Sequence, residues 1–145
     1  MIALLQRVTT ASIDVSGERV AAIDTGILVF LAVEPTDGTN EVERLSDRVL
    51  TYRLFPDENG KMNRSVRDVS GALLVVPQFT LAADTSKGTR ASFTTAAEPH
   101  VAARLFDSFV ARVQAAGVTV KCGRFRADMQ VSLINDGPVT FLLRT

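Results

Sequence analysis

The stretch "ILVFLAV", residues 27–33, is an unbroken apolar run with no alternation of polar and apolar positions. A strand with one wet face alternates, whereas a strand covered on both faces does not. Thr25-Gly26 marks a turn before it and "EPTDGTN" (34–40) a loop after it. Something must therefore pack above this strand and below it.

The flanking sequence supplies the candidates. On the N-terminal side, "IALLQRVTTASIDV" (2–15) has β-branched residues and alternation from Val8 to Val15, and Ser16-Gly17-Glu18 turns it into "RVAAID" (19–24). On the C-terminal side, Thr39 or Asn40 can cap a helix whose first turn carries Glu41 and Glu43, with Val42, Leu45, Val49 and Tyr52 at helical spacing. "PDENGKMN" (56–63) breaks that helix, and "SVRDVSG" (65–71) leads into the buried strand "ALLVVPQF" (72–79). After the polar loop "DTSKGTRASF" (84–93), Pro99 opens a second helix with Val101, Leu105, Phe109 and Val113 on one face, ended by Gly117. Three strand-like runs close the chain: "VTVKCGRF" (118–125), "MQVSLIN" (129–135) and "VTFLLRT" (139–145). The expectation is one domain over residues 1–145, a mixed sheet core with two main helices packed on one side.

The join between the last two runs is unusual. Asn135, Asp136, Gly137 and Pro138 are all turn formers, and a hairpin would explain most of them. Yet a two-residue hairpin places Asp-Gly directly before its second strand. Here Pro138 follows Gly137, fixing its own φ and restricting its neighbour.

Composition removes several classes of function. Sixteen basic and sixteen acidic residues cancel, so this is no general coat for duplex nucleic acid, whose affinity comes from neutralising phosphates. No apolar run approaches the roughly 18 residues of a membrane span. "MIALLQRV" reads as a first strand rather than a signal peptide, and the lone Cys122 fits a reducing cytoplasm. The single histidine, His100, falls in the first turn of the second helix, which leaves a Ser-His-Asp triad without its base. No residue cluster has the spacing of a metal site, and no glycine-rich phosphate loop follows a strand. An enzyme built from this chain works without metal, dinucleotide cofactor or histidine base.

Backbone chemistry remains. A buried strand ends at Gln78-Phe79-Thr80, where unpaired N–H groups can point at a ligand as in an oxyanion hole. The same pattern also suits an ordinary strand with Phe79 and Leu81 in the core and Thr80 in solvent.

Three segments decide between these: "PQFTLAAD" (77–84), "KGTRASF" (87–93) and "ADMQVSLINDGPVT" (127–140). With "MIALLQRV" and "DENGKMN" (57–63), and in this order, they resemble the D-aminoacyl-tRNA deacylase family from Met1 to Thr140. The resemblance implies a homodimer with an α/β fold of layered mixed β-sheets and two main helices on one side; it cleaves the ester between a D-amino acid and the terminal adenosine of tRNA, and also removes glycine from mischarged tRNA. It implies no cofactor and a largely main-chain active site. The family's S-Q-F-T motif falls on Pro77, Gln78, Phe79 and Thr80, with Gln78, Phe79 and Thr80 as the catalytic pocket. Its Gly-cis-Pro motif falls on Gly137 and Pro138, implying a cis peptide pushed into the partner subunit's site, where its carbonyls reject L-amino acids. Arg7 is expected to orient that motif, Met129 to line it, and Phe125, Lys87 and Arg90 to touch the tRNA end.

Three positions depart from the family pattern. Pro77 replaces serine, removing a hydroxyl and an N–H, and suggests a strand-end position. Ala91 replaces a proline, and Arg126 a glycine, where a positive φ would cost strain; with Lys121 and Arg124 nearby, Arg126 can add phosphate contact near the tRNA end or stand exposed with no contact. Thr80 as a nucleophile needs a base, and none is evident. The alternative has the ribose 2′-OH help activate water while the Phe79 and Thr80 amides hold the oxyanion. Two rivals stand beside the enzyme: a non-catalytic binder of tRNA 3′ ends, and a dimeric scaffold whose "GPVT" is only a β-turn.

Overall fold

The computed structural model describes residues 1–145, with strands β1 (Ile2–Val15), β2 (Glu18–Ile23), β3 (Gly26–Ala32), β4 (Phe55–Pro56), β5 (Met62–Arg64), β6 (Ala72–Pro77), β7 (Thr119–Cys122) and β8 (Gln130–Arg144). The helices are α1 (Thr39–Thr51) and α2 (Pro99–Ala115), and a single 3₁₀ turn spans Phe79–Ala82. The main sheet runs β2-β1-β3-β6-β7, with β8 also paired to β1. The β3–β6 and β6–β7 pairings are parallel and the others antiparallel, so the sheet is mixed.

The apolar run in β3 is covered on both sides, as its lack of alternation requires. Ile27, Val29 and Leu31 join Val42, Leu45 and Val49 of α1 and Leu105, Phe109 and Val113 of α2 in one core. Leu28 packs into a second core with Val8, Ala11, Ile13, Val15, Leu74 and Val76. Strand β1 connects the layers. Its first half pairs with β3, while its second half pairs with β2 through a two-residue turn at Ser16 and Gly17, both at positive φ. That second half folds over the face of β3 and β6 opposite the helices, closing the second core. Both main helices lie on one side.

The parallel β3–β6 pairing begins at Gly26 and Ala72, and a Cβ on Gly26 would run into the Ala72 carbonyl. Glycine is required there by close backbone approach.

Three local expectations are corrected. The α1 cap is Gly38, not Thr39 or Asn40: the Glu41 carboxylate reaches back to accept the Gly38 N–H at 2.9 Å. The segment "PDENGKMN" does more than break a helix, because β4 and β5 form a small hairpin around Asp57. Asp57 accepts from the N–H groups of Asn59 and Lys61 and from Asn63 Nδ2.

The third correction concerns the chain end. "MQVSLIN" and "VTFLLRT" are not two arms of a hairpin but one strand, both halves running antiparallel along β1. Between the pairs Gln6–Thr140 and Val8–Asn135 one residue of β1 faces four of β8, and Thr9 of β1 alone separates Val8–Asn135 from Thr10–Ile134, a net excess of two residues on β8. The two extra residues form a bulge around Asp136–Pro138. An even insertion leaves the side chains on either side of it in phase, so the strand continues with its inward face still inward.

Candidate functional site

Strand β6 ends at Pro77, past the end of its pairing with β7 but still beside β3. Strand β7 pairs only as far as Val75–Cys122, so Pro77 faces no donor-seeking partner on that side and its missing N–H costs no ladder bond. The Gln78 N–H still donates to the Leu31 carbonyl at 2.8 Å, and the chain then tightens into the 3₁₀ turn. Within that turn the Leu81 N–H donates to the Gln78 carbonyl and the Ala83 N–H to the Thr80 carbonyl. The N–H groups of Phe79 and Thr80 donate to nothing, as the first amides of a helical turn do unless capped. Two adjacent free donors on a rigid turn are the geometry an oxyanion hole needs.

The side chains here are spare. Gln78 Nε2 donates to the Thr80 hydroxyl oxygen. No base approaches that hydroxyl, and His100 lies exposed at the start of α2. Phe79 is 58% exposed, with its ring centroid 5.1 Å from that of Phe93. Beside it lie two confluent hollows of about 110 and 410 Å³, sharing Phe79, Ala97, Ala102, Phe125 and Arg126. Phe125 is held by Phe106 of α2, ring centroids 6.5 Å apart. The larger hollow has room for a flat ring between apolar walls.

Arg126 sits at φ 61°, and the Ala127 N–H donates to the Arg124 carbonyl at 3.2 Å. It is thus the third residue of a β-turn that favours glycine, at a cost of about 1–2 kcal/mol for a residue bearing Cβ. Lys87 and Arg90 stand on the exposed loop between Asp84 and Ser92 and line neither hollow. Met129 is half-buried in the second core, its sulfur over Gly123 on the Pro77 side and away from the β8 bulge. Burial, and then the charge of Asp107, push the Cys122 thiol pKa up, away from the reactive thiolate.

The β8 bulge carries the other motif, and the Gly137–Pro138 peptide is cis. Arg7 holds it from beneath. Its Nε donates to the Asp136 carbonyl at 2.9 Å and pairs with the Asp136 carboxylate at 2.9 Å, while Nη1 donates to the Leu54 carbonyl at 2.6 Å. Sequence reasoning missed the second clamp. Asn135 Nδ2 donates to the carbonyls of Arg7 (2.9 Å) and Val139 (3.0 Å), spanning the bulge, and its Oδ1 accepts the Val139 N–H at 3.4 Å. A side chain on Gly137 would strike that same Oδ1. The one available signal was an Asn opening a Gly-Pro turn, where side-chain to backbone bonding is common.

The two motifs do not meet inside one protomer. No hydrogen bond joins them, and neither hollow is lined by Gly137 or Pro138. Gln78 is level with Ala3 of β1 through Leu31, whereas the bulge is level with Arg7, and β6 and β8 are separated by β3 and β1. At about 3.3 Å per residue and 4.8 Å per strand, that is roughly 20 Å.

The profile of the D-Tyr-tRNA(Tyr) deacylase family matches residues 4–144. A D-aminoacyl-tRNA deacylase of Shewanella amazonensis is 57% identical over 144 residues, covering 99% of each chain. That of Colwellia psychrerythraea is 55% identical over 143 residues with the same coverage. Among solved structures, one described as a c-Myc DNA unwinding element binding protein superposes with a TM-score of 0.95 at 38% identity, covering 100% of this chain and 99% of that one. A probable eukaryotic D-amino acid tRNA deacylase superposes at 0.87 with 18% identity, covering 99% and 98%, which is a likeness of fold.

Proposed function

Because the chain belongs to the D-Tyr-tRNA(Tyr) deacylase family, we propose that it hydrolyses D-aminoacyl-tRNA through main-chain amides and screens chirality with a motif from a partner subunit. The free N–H groups of Phe79 and Thr80 carry this reading. Water adds to the ester carbonyl carbon, and the developing oxyanion is held by those two donors. The ribose 2′-OH of the terminal adenosine helps activate the water. The ester C–O bond then breaks, the ribose 3′ oxygen takes a proton, and free D-amino acid and tRNA leave. Gln78 fixes the Thr80 hydroxyl and with it the turn. The apolar hollow beside Phe79 and Phe125 takes the adenosine.

In a homodimer, Gly137 and Pro138 of one subunit close the pocket of the other. Their carbonyls leave no room for an L side chain, whereas a D-amino acid or glycine fits. Three observations support this: the roughly 20 Å between the motifs within a protomer, the rigid Arg7–Asn135 clamp on an exposed bulge, and the outer side of β8. That strand pairs only with β1, and exposes Ile134 (60%) and Leu142 (52%). No helix is long and apolar enough to cross a membrane, and we assign the protein to the cytoplasm with its tRNA substrates.

Purified protein should release the amino acid from D-tyrosyl-tRNA and glycyl-tRNA but not from L-tyrosyl-tRNA. Thr80→Ala should keep most of the rate. Thr80→Pro, which removes that N–H and also pushes Phe79 out of the helical region, should lower kcat by about 10²–10³ in a protein that still melts cooperatively. Loss of activity in Thr80→Ala would return the hydroxyl to the role of nucleophile. Tight binding of the acceptor end with no release from any ester would instead support the non-catalytic binder.

A further inference from the structure

Arg126, an exposed residue, lines the apolar hollow with no partner for its charge. Arg126 lines both confluent hollows alongside Phe79 and Phe125, yet makes no ion pair and no side-chain hydrogen bond. Glu98, the one acid lining the larger hollow, lies beyond ion-pair distance. The backbone beneath Arg126 is in the left-handed region, at the turn position where glycine would be free of strain. A residue that strains the turn and leaves its charge unpaired beside an apolar groove is placed for a ligand rather than for the fold.

We propose that Arg126 binds the phosphate that links the terminal nucleotide of the substrate to the rest of the RNA, an inference that rests on the deacylase reading. A nucleoside seated between Phe79 and Phe125 leaves its 5′ phosphate at the groove's mouth, where solvent enters. A guanidinium there offers paired donors of the right charge. The protein has zero formal net charge, so one well-placed cation bears more of the RNA affinity than it would on a basic surface.

The test compares D-tyrosyl-tRNA with D-tyrosyl-adenosine, which presents the same ester and base without the phosphate. For Arg126→Gly the ratio of the two KM values (tRNA over adenosine) should rise about 5- to 10-fold, with the tRNA kcat within about twofold. The same substitution should raise Tm by roughly 3 °C, because glycine relieves the turn. Arg126→Lys should retain most of the tRNA affinity without gaining stability. An unchanged ratio, or an equal rise for both substrates, overturns the assignment and makes Arg126 a residue of the turn alone. A wild-type protein that hydrolyses neither ester overturns the deacylase reading, and this inference with it.

Discussion

Gly137 shows how a single residue can be required twice over. Its Cβ position is filled by Asn135 Oδ1, and Asn135 in turn ties Arg7 to Val139 across the bulge. Gly137→Ala should displace that amide and loosen the peptide proposed to close a partner's pocket. The D/L discrimination ratio should fall by at least about 10-fold, and Tm should fall too, because the added methyl also meets the Val139 backbone nitrogen and breaks the Asn135 bonds across the bulge. An unchanged ratio would remove the bulge from the filter. Little of this was legible beforehand. Gly137 and Arg7 were marked by resemblance, but Asn135 acts through bonds to a strand more than a hundred residues away. No local pattern encodes such a bond.

Among elements, the β3–β6 pairing and the capped turns decide stability. Gly26→Ala drives a methyl into the Ala72 carbonyl where the parallel pairing begins, and should cost about 2–3 kcal/mol. A urea or thermal melt measures this directly, and a loss below about 0.5 kcal/mol would mean that β3 and β6 part easily. The carboxylates set the acid limit. Hydrogen bonds lower the pKa values of Glu41 (from the Gly38 N–H), Asp57 (chiefly from Asn63), Asp68 (from Ser65) and Asp84 (from Ser86) below their ordinary 4.5 and 3.8. A depressed folded-state pKa contributes stability above the unfolded value and loses it as pH falls through the folded one. Tm should therefore hold down to about pH 4.5 and decline below it, as differential scanning calorimetry from pH 7 to 2.5 would reveal. A Tm that rises on acidification would contradict these bonds.

For the whole molecule, the question is whether one protomer suffices. Subunits carrying Thr80→Pro supply an intact bulge but a disabled pocket; subunits carrying Gly137→Ala supply the reverse. On the proposed arrangement, the working pocket of one subunit in a mixed dimer would face the sound bulge of the other. Adding excess Thr80→Pro protein to Gly137→Ala protein under subunit exchange should therefore restore rejection of L-tyrosyl-tRNA to nearly the wild-type ratio. If each protomer filters its own pocket, the mixture will discriminate no better than Gly137→Ala alone. Sedimentation should meanwhile give a dimer, with Ile134→Asp and Leu142→Asp together shifting it toward monomer.

The sequence by itself determined the periodic elements. The unalternating 27–33 run demanded cover on both faces, and the spacing of Val42, Leu45 and Val49 and of Leu105, Phe109 and Val113 demanded two one-sided helices. It also carried the family motifs, since those are residue identities in order. Tertiary structure alone decided that "MQVSLIN" and "VTFLLRT" are one strand, because the choice between a hairpin and a bulge depends on whether β1 is available to pair with both halves. It alone freed the Phe79 and Thr80 amides, because that depends on β7 stopping short of Pro77 and on a 3₁₀ turn beginning at Phe79. Local patterns record what a segment can bury; which of its backbone donors stay unpaired is settled only when every neighbouring strand has its place.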